Sequence, residues 1–337
     1  SHEVVRFPYR LRLRICLKQV SRRSMSSRSP KKFGSISGEA VGSLLASVTL
    51  PRLFGRRLRI HVTFGEPYEP SPAANADDIA VTLNRRLLET RLGHLAVLHA
   101  EEQRFWDRYG SFYAYLERAD AYRDLVADFA ALLPQRISGT WVDLGSGSGT
   151  ILELLRSRAA PETRLRATDN AAVMLRQLRR RFPSEVAVEP LDLTRSLPFP
   201  DESLDGITAN LVLPYVIHHR AETGNAALRK LLLEIRRVLK PGGVLVWSTP
   251  RDNVRFVMAF IRSLPSILRS DQRENIIYGP KILRQAIRIQ RQGRRGVYHF
   301  WSRKGIGAAM RELGFEHTRI ERSMAGQVYL VRSEKPR

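Results

Sequence analysis

Residues Val142-Asp143-Leu144-Gly145-Ser146-Gly147-Ser148-Gly149-Thr150 constrain this chain more than any other stretch. A short apolar run closes on an acid, and three glycines follow at alternate positions. Ile151-Leu152-Glu153-Leu154-Leu155 then opens a helical pattern. Strand, tight turn and helix N-terminus in that order form a cradle for a nucleotide-like ligand. Glycine reaches positive φ and lets a ligand approach with no Cβ in the way. The spacing is G-x-G-x-G, which differs from the G-x-G-x-x-G of dinucleotide binders.

More segments follow in a fixed order. Leu165-Arg166-Ala167-Thr168-Asp169-Asn170 reads as a second strand ending in an acid, and Pro190-Leu191-Asp192-Leu193 carries another acid. Residues 197–207 read as a turn feeding a fourth strand. A helical run over 228–239 stops at Lys240-Pro241-Gly242-Gly243, a helix stop followed by a turn. Residues 244–248 are a fifth apolar strand, and 314–316 with 327–331 look like a closing hairpin.

Taken together, residues 100–335 resemble the class I S-adenosylmethionine (SAM)-dependent methyltransferases. The likeness is greatest to the branch that modifies small molecules, quinones and lipids. It implies an α/β fold: a Rossmann-like seven-stranded doubly wound sheet with a C-terminal antiparallel hairpin, plus an N-terminal extension. It implies SAM as cofactor, cradled by Asp143, Gly145, Ser146, Gly147 and Gly149. Asp169, with Asn170 beside it, falls where the family binds the ribose hydroxyls, which a carboxylate can accept. Asp192 and Leu193 fall at the adenine edge. Asn210 stands where the family touches the methionine end of the cofactor or the acceptor.

Substrate residues in that family vary after the fourth strand, here 209–219. Ligands bind at this carboxyl edge in open α/β sheets. Tyr215 falls there, and His218 or His219 is a candidate base, since histidine titrates near neutrality; a solvent-exposed helix end is the other reading. His299, in Tyr298-His299-Phe300-Trp301, is a further candidate. Trp106, Tyr109 and Tyr113 lie at i, i+3 and i+7 on an expected helix. That spacing suits a core stripe, an aromatic face over the sulfonium, or both. Methyl transfer requires no metal, and no His/Cys/Asp cluster has metal-ligand spacing.

Three other classes stand beside this reading. A NAD-dependent oxidoreductase conflicts with the glycine spacing, the acid closing the first strand and the hairpin. An RNA methyltransferase would favour an Asn/Asp-Pro-Pro-Tyr-type motif, and Asn210-Leu211-Val212-Leu213 is not one. A non-catalytic SAM-binding protein is the third.

Of the net charge of +23, residues 1–70 carry +10, 71–250 carry +1 and 251–304 carry +10. A basic chain suits nucleic acid, anionic lipid or an acidic substrate, or simply a solvated surface. Residues 254–264 place Val254, Val257, Met258, Ile261 and Leu264 on one helical face. Ile282, Leu283, Ala286 and Ile287 form a second stripe flanked by Lys281, Arg284, Arg288 and Arg291. Helices of this kind lie in anionic membrane interfaces or cover an active site. The expected acceptor is therefore a small molecule or lipid-like compound. An anionic membrane surface is the expected further partner, nucleic acid a weaker one.

Three segments are expected. Residues 1–35, rich in Arg and Ser, read as a disordered or targeting-like segment. Residues 36–98 read as an extension and linker. Within them, Leu58 to Phe64 alternate like a half-buried strand running into Gly65-Glu66-Pro67. This is similar to the tail of a glycerolipid acyltransferase, without that family's spaced His and Asp. Residues 99–337 form the methyltransferase-like domain, with the basic insert 251–304. Helices are expected over 78–98 and 100–133. Cys16 is the one cysteine, which excludes an intrachain disulfide and suits a cytoplasmic or membrane-peripheral setting. No apolar run reaches the roughly 18–20 residues that span a bilayer.

Overall fold

The computed structural model describes residues 71, 76–117, 119–258 and 273–337, and the backbone of short strands within 2–68. The side chains of 109, 111–116 and 273–278 are outside the description. So are residues 17–40 and 59–62, parts of the linker 67–75, and 259–264 of the expected first amphipathic face. Within the extension, His2–Arg6 pairs with Arg12–Cys16, Val41–Leu45 with Thr63–Tyr68, and Leu50–Leu53 with Arg56–Leu58, all antiparallel.

A long helix, α1 (Ala76–Glu117), leads into α2 (Asp120–Leu132). The sheet alternates with helices: β1 (Thr140–Leu144), α3 (Thr150–Arg158), β2 (Arg164–Asp169), α4 (Ala172–Arg181), β3 (Val186–Pro190) and β4 (Leu204–Ala209). Then come α5 (Gly224–Val238), β5 (Leu239–Pro250), α6 (Arg273–Arg294), α7 (Arg303–Glu312), β6 (Glu316–Ser323) and β7 (Val328–Glu334). The seven strands lie in the order β6-β7-β5-β4-β1-β2-β3. The five strands from β5 to β3 are parallel, and β6 and β7 run antiparallel.

The strands are apolar because helices cover both faces of the sheet. On one face, Tyr122, Leu125 and Phe129 of α2 pack with Ile151, Leu152 and Leu155 of α3 and Trp141 of β1. On the other, Leu228, Leu231, Leu232 and Ile235 of α5 pack with Ile306 and Met310 of α7 around Trp247. At the centre, Trp141 lies opposite Gly206, where an added Cβ would stand 2.4 Å from the indole ring. The chain leaves β1 toward β2 on one side and enters β4 on the other. That reversal opens a crevice at the carboxyl ends of β1 and β4.

Two expected boundaries differ. Helix α1 runs unbroken through Leu98, His99 and Ala100, because nothing there stops it; the break comes after Glu117. The helix before the fifth strand ends at Val238, and β5 starts at Leu239, ahead of the Pro-Gly-Gly turn.

Candidate functional site

The glycine loop is built for its turn. Gly145, Gly147 and Gly149 have φ of +62°, +56° and +88°, a region that costs other residues about 1–2 kcal/mol. A Cβ on Gly145 would meet Val212 at 2.6 Å, and one on Gly149 would meet Phe182 at 2.6 Å. The loop thus reverses tightly against its neighbours and starts α3 at Thr150. Glu117, at the end of α1, accepts hydrogen bonds from the hydroxyls of Ser148 and Thr150 and ties that helix to the loop.

Asp143 closes β1 fully buried. Its Oδ1 accepts the Thr208 hydroxyl hydrogen at 2.6 Å, and its carbonyl accepts from Ser146 Oγ and Thr168 Oγ1. Burial pushes its carboxyl up to about 7, against the hydrogen bond from Thr208; the nearby Asp169 adds to the rise. Asp169, at the end of β2, is also raised by burial, opposed by backbone N–H donors. Gly147 N donates to its Oδ2 at 3.0 Å and Ala171 N to its Oδ1 at 2.8 Å. These bonds aim the carboxylate at the loop while leaving acceptor capacity on both oxygens.

Asp192, after β3, accepts from the backbone and hydroxyl of Thr194 at 2.9 and 2.7 Å. His99 Nε2 lies 3.7 Å from its Oδ2. At the end of β4, Asn210 Oδ1 accepts from Ser248 Oγ at 2.7 Å, and its amide donates to Tyr122 Oη at 3.3 Å.

These elements enclose a cavity of about 190 Å3. Its floor is the loop, Asp143, Asp169 and Asn170; one wall is Leu191, Asp192 and Leu193. The far end is Asn210, Val212, Tyr215 and Val216, and one face of α1 (His99, Glu102, Gln103, Trp106) forms the roof. Gln103 Nε2 reaches the carbonyl of Asn170 at 3.4 Å, which seats that roof on the floor.

Residues 142–247 match the family model described as the methyltransferase domain. The matched stretch runs from β1 into β5 and takes in the glycine loop and the ends of β2, β3 and β4. The chain's similar relatives include the trans-aconitate 2-methyltransferase of Methylobacterium nodulans, 36% identical over 140 residues, covering 42% of this chain and 49% of that one. The enzyme of the same name from Azoarcus sp. is 34% identical over 138 residues, covering 41% and 49%. The chain thus spans about half the length of the curated relatives it matches. A SAM-dependent methyltransferase structure from Aquifex aeolicus covers 65% of this chain and 91% of that one, at 16% identity and a TM-score of 0.41.

The fold brings most of the expected residues to one cavity. Asp143, Gly145, Ser146 and Gly147 line it with Asp169 and Asn170; Asp192, Leu193 and Asn210 do so from the next strands, and Trp106 and Tyr215 from above. Gly149 stands behind the loop against Phe182. The side chains of Tyr109 and Tyr113 lie outside the described residues.

The three candidate histidines do not line the cavity. His219 is fully buried with Nδ1 on the Leu193 carbonyl at 2.8 Å, and His218 is buried with Nδ1 on the Arg220 carbonyl at 3.2 Å. Both lie in a short strand pair, His218–His219 with Glu222–Thr223, in place of the solvent-exposed helix end. His299 is buried, its Nε2 on the Val216 carbonyl at 3.1 Å and its backbone N–H on Pro214. Burial lowers the affinity of His218 and His299 for a proton. Each is thus held near the cavity wall by main-chain carbonyls.

His99, Glu102, Gln103 and Tyr122 were not singled out in the sequence. The i, i+3, i+4 and i+7 spacing of His99, Glu102, Gln103 and Trp106 marks one face of a helix. That pattern was the available signal, hidden because charged and amide residues at helical spacing usually face water. Among the described residues, no group of three His, Cys, Asp or Glu could hold a metal ion.

Proposed function

We propose that this domain transfers a methyl group from SAM to a small-molecule acceptor. The observation that carries the reading is the single cavity. It joins the glycine loop and two strand-end carboxylates to an aromatic-walled end beneath α1. The residues present suit the cofactor. Two loop positions have no room for a Cβ, and the Asp169 carboxyl is hydrogen-bonded to the loop through Gly147 N–H. When bound, SAM supplies an already activated methyl group on a sulfonium.

The roles follow from position. Asp169 accepts the ribose hydroxyls, and Asp192 with Leu193 bounds the adenine. Asn210, clamped between Ser248 and Tyr122, orients the methionine end. Trp106 and Tyr215, with ring centroids 5.1 Å apart, exclude water and present π faces to positive charge. Orientation of the acceptor against the methyl group can supply roughly 7–11 kcal/mol of the barrier. The relatives' names point to small-molecule acceptors, and the acceptor here is of that kind.

Methyl-labelled SAM incubated with small-molecule extract, lipid extract and RNA tests this. Label should enter the small-molecule fraction and fall about 10- to 100-fold in Asp169→Ala, as the loss of charge-assisted hydrogen bonds implies. Label found only in RNA would overturn the acceptor class.

A second reading concerns where the domain works. On α6, Leu283 and Ile287 are half-buried beside Arg284, Arg288, Arg291 and Arg295 in one shallow groove. This surface suits an anionic lipid interface, and with it a lipid-like acceptor. Among the described residues no helix is long and apolar enough to cross a membrane. Sedimentation with phosphatidylserine-containing vesicles, but not with pure phosphatidylcholine, is expected; equal recovery with both would sink the reading.

A further inference from the structure

The described lining of the cavity holds four carboxylates, Glu102, Asp143, Asp169 and Asp192, and neither lysine nor arginine. Three of these acids stand at strand ends on the loop side. Glu102 stands apart, on the roof helix one turn from Trp106, with its side chain 13% exposed. Its Oε2 accepts the Tyr298 hydroxyl hydrogen at 2.6 Å. Burial and the adjacent carboxylate push the Tyr298 hydroxyl well above its ordinary range, so it remains a donor.

Arg288 forms a long ion pair with Glu102. Its Nη2 lies 3.8 Å from Glu102 Oε1, and its guanidinium carbon sits 3.9 Å from the centroid of the Phe105 ring. Arg288 reaches Glu102 from outside the cavity and does not line it. Trp106 and Tyr215 give the lining near this carboxylate an aromatic character, and behind it Tyr215 stacks edge-on against Tyr298 at 5.1 Å and against Phe300 at 5.8 Å. A fixed carboxylate beside aromatic faces, with no cation in the lining, attracts a donor or a positive charge. Like charge disfavours a carboxylate placed directly against Glu102.

We propose that Glu102 is the acceptor-recognition residue of this cavity, and that the acceptor it selects is an amine on an aromatic or apolar body rather than a carboxylic acid. The inference rests on the methyltransferase reading and narrows its acceptor class. Tyr298 is a positioning residue that holds the Glu102 carboxylate in place through Oε2.

Calorimetry with three indole probes of similar size, tryptamine, tryptophol and indole-3-acetate, tests it on the full chain, with and without S-adenosylhomocysteine. Tryptamine should bind at least about tenfold more tightly than either other probe, the scale of one charge-assisted hydrogen bond. Glu102→Gln should abolish that preference, Glu102→Asp should restore part of it, and Tyr298→Phe should reduce it. S-adenosylhomocysteine affinity should stay within about threefold in all three variants, less than one hydrogen bond is worth.

Three results would overturn the proposal: wild-type preference for tryptophol or indole-3-acetate, no binding of tryptamine, or equal weakening of tryptamine and S-adenosylhomocysteine in Glu102→Gln. The last would assign the carboxylate to the cofactor. Failure of the methyltransferase reading is read separately, from wild-type titration with S-adenosylhomocysteine alone.

Discussion

Asp143 is the residue whose chemistry departs most from its ordinary behaviour. Its carboxyl is raised from 3.8 to about 7 because β1 buries it completely. In the unfolded chain it ionises near its ordinary value. Between those two values the native state therefore holds a proton that the unfolded state has lost. The stability this contributes is full below pH 4, roughly, and declines as pH rises toward 7, by about 4 kcal/mol in all. Asp143→Asn keeps an acceptor for the Thr208 hydroxyl at that position without a titratable charge. The variant should gain stability over the wild type as pH rises from about 4 to 7, then hold a constant gap. Urea unfolding across that range reads the effect; a pH-independent difference would contradict the burial argument.

At the scale of elements, the β1–loop–α3 unit was legible in the sequence because its chemistry is local. The alternate glycines, the acid closing the strand and the helix that follows all lie within a few residues. Asp169 and Asp192 were legible for the same reason, each closing or following a short strand. The roof was not. Glu102 comes from α1, Tyr215 from after β4 and Tyr298 from after α6, so the acceptor end joins residues 196 positions apart. The surroundings of the His218-His219 pair were not legible either: the fold turns both rings onto carbonyl oxygens, which no local pattern announces. The length of α1 was missed because its residues carry no stop signal to separate one helix from two.

Packing between β1 and β4 yields a second test at this scale. Gly206→Ala puts a methyl group 2.4 Å from the Trp141 ring, so one of two central strands must shift. A loss of more than about 2 kcal/mol is expected, at the upper end of overpacking costs. Gly296→Ala is the control: its φ is +72° but nothing lies within 4 Å of the added Cβ, so only about 1–2 kcal/mol of backbone strain is expected. Equal losses in urea unfolding would show that Trp141 yields freely.

For the whole molecule, charge is divided by region. Residues 71–250 are nearly neutral, while 251–304 carry +10. The basic surface of α6 lies next to the roof, since Ala286 and Ile289 of that helix pack with Phe105 and Tyr215. An anionic surface held by α6 would thus lie close to the acceptor end of the cavity. If so, vesicle binding should weaken steeply with salt. Replacing Arg284, Arg291 and Arg295 with glutamine should remove most of it, at about 1 kcal/mol per cation, and leave SAM affinity unchanged. Vesicle binding that survives the triple replacement would contradict this arrangement.

The central claim is that the cavity between the glycine loop and α1 holds SAM. Calorimetric titration of the chain with SAM, with NADH titrated in parallel, tests it most directly. We predict saturable SAM binding at one site, weakened at least about tenfold in Asp169→Ala by the loss of charge-assisted hydrogen bonds, and no binding of NADH. SAM affinity unchanged in Asp169→Ala, or a well-folded chain that binds NADH and not SAM, would contradict the account.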